Sequence, residues 1–173
     1  MEECMKVGLM ANSHDRLPAI DAFVAALASR GISLVLHAGD FVAPWSLGPF
    51  RERGMALLGV FGHNDGDPSG LTAFAQQGVG MELYESPHVF EVAGRKLLLV
   101  HDLHDLPERA WDEYDIIVHG TIHTSEVRAQ GKVTVICPGE ACGWLTGTPT
   151  CAILDLESRE VEFIRLEGPE WAR

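Results

Sequence analysis

MKVGLMANSHD (residues 5–15) decides the fold. Its first half is a short apolar run of strand length, and its second half is a polar cluster with turn chemistry. That order describes a buried strand that delivers Asn12, Ser13 and His14 into a loop at its carboxyl end. Side-chain oxygen and imidazole placed one residue apart at a strand end suit a metal site. A turn alone accounts for the same residues, and Asn12 is a weaker ligand for a hard cation than Asp.

The same arrangement recurs along the chain. ISLVLHAGD (32–40) ends in Gly39-Asp40, and MALLGVFGHND (55–65) ends in Gly62-His63-Asn64-Asp65. HVFEVAGRKLLLVHD (88–102) reads as a hairpin turning at Ala93-Gly94 whose second strand ends at His101, with His104 beyond it. YDIIVHGTIHT (114–124) ends in His119, Thr121 and His123. LPAIDAFVAALASRG (17–31) has helical spacing, with Pro18 near its start and Gly31 past its end; SLGPFRERG (46–54) predicts a second, short helix. KVTVICPG, TPTCAILDLES and EVEFIRLEG read as three further strands. Early strand–helix alternation argues for parallel α/β layering and the late strands for an added antiparallel sheet. Two packed sheets flanked by helices satisfy both.

In open α/β sheets ligands collect beyond the carboxyl ends of the strands. Any one of these loops is most simply read as a turn, but five of them carry imidazole, carboxylate or amide. Their recurrence points to one cleft with metal-ligand chemistry rather than a Ser/His/Asp triad. The remaining polar residues have plainer readings: His37 as a buried, hydrogen-bonded histidine, Asp65 as an organiser of its loop, and His88 as a strand-opening residue without a role. Glu108, Asp112, Glu113 and Asp115 read as a solvated helix face.

The chain has 173 residues, 46% hydrophobic and 22% charged, with a formal charge of −12. These values fit one domain spanning 1–173, with a core of about 5–167. A negative surface disfavours stable nucleic-acid binding. No apolar run approaches the ~20 residues of a membrane span. MEECMKV lacks a signal-peptide pattern. Four unevenly spaced cysteines read as free thiols in a reducing cytoplasm rather than a disulfide framework. CPGEAC is read as small packing residues, not a zinc knuckle. Trp45, Trp144 and Leu145 raise the expectation of an exposed patch for a partner or a homo-oligomer.

With these motifs in order, the chain resembles the calcineurin-like metallophosphoesterases, and among them the small YfcE-type phosphodiesterases. MKVGLMANSHD stands for the family's D-x-H strand end, HAGDF for G-D, FGHND for G-N, VHD for the strand-end His, HGTIH for G-H-x-H, and PGEACGWLTGTP for a Pro-Gly-rich loop. The resemblance implies a four-layer αββα sandwich of two mixed sheets flanked by helices. It also implies one or two divalent ions (Mn, Zn, Fe or Ni) and hydrolysis of a phosphate ester, a diester by subfamily, with a metal-activated water. Carried over, Asn12, His14, Asp40 and His123 would hold the first ion, and Asp40, His63, His101 and Thr121 the second. Asp40 would bridge. Asn64 would hydrogen-bond phosphate but cannot act as a general acid. His104 reads equally as a cleft-facing substrate contact and as a solvent-facing loop residue. Asn12, His63 and Thr121 depart from the family's Asp, Asn and His, which leaves one carboxylate among the ligands. A non-catalytic phosphate or nucleotide binder, or an interaction scaffold such as the small retromer subunit, is the alternative on this fold.

Overall fold

The computed structural model describes residues 5–171. Along the chain run β1 (Lys6–Met10), α1 (Leu17–Ser29), β2 (Leu34–His37), α2 (Gly48–Glu52), β3 (Ala56–Val60), α3 (Pro68–Ala75) and β4 (Met81–Tyr84). They are followed by β5 (His88–Val92), β6 (Arg95–Val100), β7 (Ile116–His119), β8 (Ser125–Gln130), β9 (Val133–Pro138), β10 (Thr150–Asp155) and β11 (Val161–Arg165). Short 3₁₀ turns cover Pro44–Leu47, Leu103–Asp105 and Glu108–Glu113.

The strands form two sheets, in the orders β11-β10-β1-β2-β3-β4 and β5-β6-β7-β9-β8. In the first, β1 to β4 are parallel and β10 and β11 antiparallel. In the second, β6, β7 and β9 are parallel, with antiparallel strands at both edges. Alternation along β1 explains the layering. Val7 and Leu9 join Leu36, Val60, Leu97, Leu99, Val118 and Ile136 in the core between the sheets. Met10, on the opposite face, packs with Ile20, Phe23 and Leu27 of α1. Gly8 lets α1 approach, since a Cβ there would stand 2.9 Å from a methyl group of Leu27. Apolar contact between sheets and helices of this kind supplies most of a domain's stability.

The four-layer sandwich is therefore present, with an uneven outer layer. Three helices cover the first sheet, whereas the outer face of the second meets Trp111, carried on the 3₁₀ turn Glu108–Glu113, packed on Leu98, Val100 and Ile117. The acidic stretch is thus a 3₁₀ turn rather than a helix. Asp115 is structural, because it accepts from Lys96 N and is paired with Arg159. α3, β4 and β8 have no counterpart among the elements expected above. The helix expected at 46–54 is a 3₁₀ turn running into the five-residue α2.

The registers bring the strand ends into line. Met10 pairs with His37, His37 with Gly59, and Val100 with His119. The loops after β1, β2, β3, β6 and β7 consequently leave from one edge of the sandwich. No helix among the described residues is long and apolar enough to cross a membrane.

Candidate metal centre

Backbone bonds knit these loops together. Asn12 N donates to Gly39 O at 3.0 Å, His14 N to Asp40 O at 3.0 Å, and Gly120 N to His101 O at 3.0 Å. Asp65 fastens a third loop to the second: its Oδ2 accepts from Gly62 N (2.6 Å) and Asp40 N (3.1 Å), and its Oδ1 from Val42 N (2.7 Å). Gly62 is required by this closeness, because a Cβ there would lie 2.3 Å from Asp40 Oδ1. Asn12, His14, Asp40, Val42 and His123 all adopt positive φ. Such backbone is costly for side-chain-bearing residues and gathers where function over-determines it.

Asp40 is the hub. His14 Nε2 lies 3.2 Å from its Oδ2 and His101 Nε2 3.5 Å from its Oδ1. Burial acts to raise the Asp40 pKa, but the hydrogen bonds from His14 and Asn64 prevail and hold it well below the usual carboxylate range. The bond to Asp40 also outweighs burial at His14 and raises that imidazole's pKa. His101 Nδ1 contacts Ala38 O at 2.8 Å, which turns Nε2 toward Asp40. His37 is fully buried, stacked on Phe41, with Nε2 3.0 Å from Ser13 Oγ; it accepts from Gly39 N at Nδ1, and burial pushes its pKa down to about 3. It braces two ligand loops as a neutral ring.

A cavity of about 360 Å³ opens over this cluster, lined by His14, Asp40, His63, His101, Thr121 and His123 among others. Asn12 is fully buried and does not line it. Its Nδ2 donates to Gly120 O at 2.9 Å, while its Oδ1 has no hydrogen-bond partner among the described residues. An orphaned buried carbonyl in a loop knitted to those of a carboxylate and imidazoles is what a cation ligand looks like before the cation is counted. Among the described residues, no group of three or more His, Cys, Asp or Glu side chains is placed so that it could hold a metal ion as it stands. The donors instead hydrogen-bond to one another, through protons that a cation would displace, and one of them is an amide. The donor set thus fits a divalent ion in its chemistry: Asn12 Oδ1, His14, Asp40 and His123 on one side, and Asp40, His101 and exposed His63 on the other.

Three candidate site residues have other partners than a metal or substrate. The Thr121 hydroxyl is engaged by the protein: it accepts from Leu103 N at 2.9 Å, lies 3.1 Å from His119 Nδ1 and faces His101 O. A hydroxyl so occupied orients loops and has little left for a cation. His104 does not line the cavity; its side chain is 84% exposed and paired with Asp102. Asn64 does line it, but its backbone N and Nδ2 clamp both Asp40 oxygens, at 2.9 and 2.8 Å. Trp144 and Leu145 are exposed and form an apolar wall of the cavity; Trp45 is exposed away from it. Cys142 also lines the cavity, but burial pushes its thiol up to about 12.

One residue escaped the sequence reading. Glu140, in the loop after β9, is 1% exposed and lines the cavity, with Oε2 3.2 Å from His123 Nδ1. Its signal was present: PGEAC is a sixth polar loop behind an apolar strand.

A two-sheet sandwich whose strand-end loops converge on a His/Asp/Asn cluster defines a metallophosphoesterase-type protein. Residues 5–159 match the calcineurin-like phosphoesterase superfamily domain, and the chain belongs to that family. It is 31% identical over 166 residues to a phosphodiesterase of Methanocaldococcus jannaschii, covering 94% of this chain and 100% of that one. A solved structure described as a novel archaeal phosphodiesterase superposes with a TM-score of 0.87 at 31% identity, over 94% of this chain and 100% of that chain. YfcE, a phosphoesterase from E. coli, shares the fold at 16% identity, with a TM-score of 0.67 over 94% and 98% of the two chains. The protein is a phosphoesterase-family hydrolase.

Proposed function

We propose that the protein hydrolyses phosphodiesters with one or two divalent ions, manganese or another transition metal, bound between Asn12, His14, Asp40, His123, His63 and His101. One observation carries this reading: the buried Asn12 Oδ1 has no hydrogen-bond partner among the described residues, in a loop that Gly39 O ties to the loop of Asp40, whose carboxylate lines a cavity open to substrate. A divalent cation supplies electrophilic polarisation of the phosphoryl oxygens and an activated water. The chain's own residues supply placement. Asp40, kept ionised by its donors, offers an oxygen to each side of the cluster. His101 is aimed by Ala38 O, and His123 is held by Glu140. Asn64 keeps the Asp40 carboxylate in one orientation. Trp144 and Leu145 give an ester substituent an apolar wall to rest on. The buried free thiols Cys137, Cys142 and Cys151 support a reducing, cytoplasmic setting; Cys4 lies outside the described residues.

The test is hydrolysis of bis(4-nitrophenyl) phosphate with Mn²⁺, Ni²⁺ or Zn²⁺ added in turn, against Asp40→Asn. Turnover that needs the metal and disappears in the variant supports the proposal. A folded protein inactive with every metal would favour a binder or scaffold instead.

A further inference from the structure

We propose that Glu140 is a positioning carboxylate of the first ion's site: it holds the Nδ1 proton of His123, so that Nε2 presents its lone pair to the ion, and it adds the second negative charge that the ligand cluster lacks. The inference rests on the metal-centre reading above and concerns a residue to which that reading gives no ligand role.

The geometry separates the two oxygens of Glu140. Oε1 accepts from Leu145 N (2.7 Å), Thr146 N (2.6 Å) and Thr146 Oγ1 (2.9 Å). Oε2 is left to His123 Nδ1 (3.2 Å), with Cys142 Sγ at 3.8 Å. Three donors converging on Oε1 leave Oε2 as the oxygen free to accept from His123. An imidazole whose Nδ1–H is given to a carboxylate has its lone pair on Nε2, the orienting device commonly found behind metal-bound histidines. Charge points the same way. Asn12, His14, His63, His101 and His123 are neutral donors when they bind a cation, so Asp40 is the one anionic ligand among them in a partly desolvated site; the other nearby carboxylates are given elsewhere, Asp65 to backbone N–H groups and Asp102 to His104. Glu140 is joined to that cluster by main chain as well. Ala141 N donates to Ala11 O (2.9 Å) and Cys142 N to Asn12 O (3.0 Å), which docks the Glu140 loop against the loop of Asn12.

The bland account is that Glu140 only anchors residues 145 and 146. Glu140→Gln separates the two. Its carbonyl can still accept from Leu145 and Thr146, but its amide N–H₂ then faces His123. Nδ1 must become an acceptor and the proton moves to Nε2. ¹⁵N NMR of labelled histidine in chelator-treated protein reads this without any metal: His123 is expected as the Nδ1–H tautomer in the wild type and as Nε2–H in Glu140→Gln. Calorimetric titration with Zn²⁺ then compares wild type, Asn12→Asp, Glu140→Gln and the double variant. Glu140→Gln is expected to weaken binding about 10- to 100-fold, as loss of such an orienting partner does. Asn12→Asp is expected to recover more affinity in the Glu140→Gln background than it adds to the wild type, because either carboxylate can serve as the second charge. A wild-type His123 in the Nε2–H form, or an equal gain from Asn12→Asp in both backgrounds, would overturn the proposal. A wild-type protein that takes up no Zn²⁺ would instead overturn the metal-centre reading and the charge argument with it, while the tautomer measurement still judges the positioning role.

Discussion

Replacing Asp65 by Asn should loosen the centre without touching any proposed ligand. The carboxylate accepts three backbone N–H groups, from Asp40, Val42 and Gly62, and so ties the loop after β2 to the loop after β3. Asn retains one accepting oxygen. Turned toward Gly62 and Asp40, it aims its own N–H₂ at Val42 N–H, and a donor then faces a donor. The loss is one hydrogen bond to a charged group, worth about 1.5–3 kcal/mol, plus a partly buried N–H left without a partner. Some of this is returned, since burial raises the Asp65 pKa against the hydrogen bonds that lower it, and the neutral amide escapes that desolvation cost. The net destabilisation is about 2–3 kcal/mol. For a domain of this size that lowers Tm by about 4–12 °C, at roughly 2–4 °C per kcal/mol. Circular-dichroism melting in excess chelator measures it free of any stabilisation by bound ions. Mn²⁺ affinity should fall in parallel, because Asp40 N loses its tether. A melting temperature within a degree or two of wild type would refute the idea that Asp65 joins the loops.

Gly62→Ala should fold but bind Mn²⁺ about tenfold or more less tightly, since each 1.4 kcal/mol is a factor of ten and the new Cβ would displace the Asp40 carboxylate; calorimetry beside an unchanged circular-dichroism spectrum checks it. His37 should make the fold acid-sensitive. Its pKa is about 3 when folded and about 6.5 when unfolded, so the unfolded chain takes the proton first and stability falls as pH drops from 6.5 toward 3. Between pH 7.5 and 5 that one group costs about 2 kcal/mol. Urea titrations at the two pH values should show a drop smaller by that amount in His37→Gln, and equal drops would remove His37 as the cause.

What the sequence made legible was what local chemistry decides. Apolar runs broken by Gly and polar residues located β1, β2, β3, β6 and β7, and Ala93-Gly94, both at positive φ, formed the expected turn of the β5–β6 hairpin. β8 was invisible because SEVRAQ is an edge strand of half-buried and exposed residues with no apolar run to announce it. α3 was missed because Gly70 and a length of eight residues weaken its pattern, although Asp67 caps it by accepting from Gly70 N. At the centre, a strand end gives a residue's address but not its partners. Thr121 looked like a ligand until Leu103 N, 18 positions away, claimed its hydroxyl, and Glu140 looked like loop until His123 stood beside it.

The backbone bears on whether this fold acts here as an enzyme or only as a scaffold. Asn12, His14, Asp40 and His123 hold positive φ, and so does Val42, whose branched side chain makes that conformation especially unfavourable. Asn, Asp and His tolerate this region better than most residues, so the cost is greatest at Val42, on the order of 1–3 kcal/mol. Such backbone persists under compensation, and the compensation is visible. Asp65 holds Val42 and Asp40, Gly39 O holds Asn12, and neutral His37 braces Ser13 and Gly39. A scaffold docking partners through an exposed surface has no use for a buried carbonyl without a partner or for four side chains turned inward on costly backbone. A centre that gathers charge and lone pairs in one cavity needs both. Four of the proposed ligands hold such backbone, as do turn residues elsewhere such as Ala93 and Arg159, and its concentration around Asp40 weighs the fold toward hydrolysis.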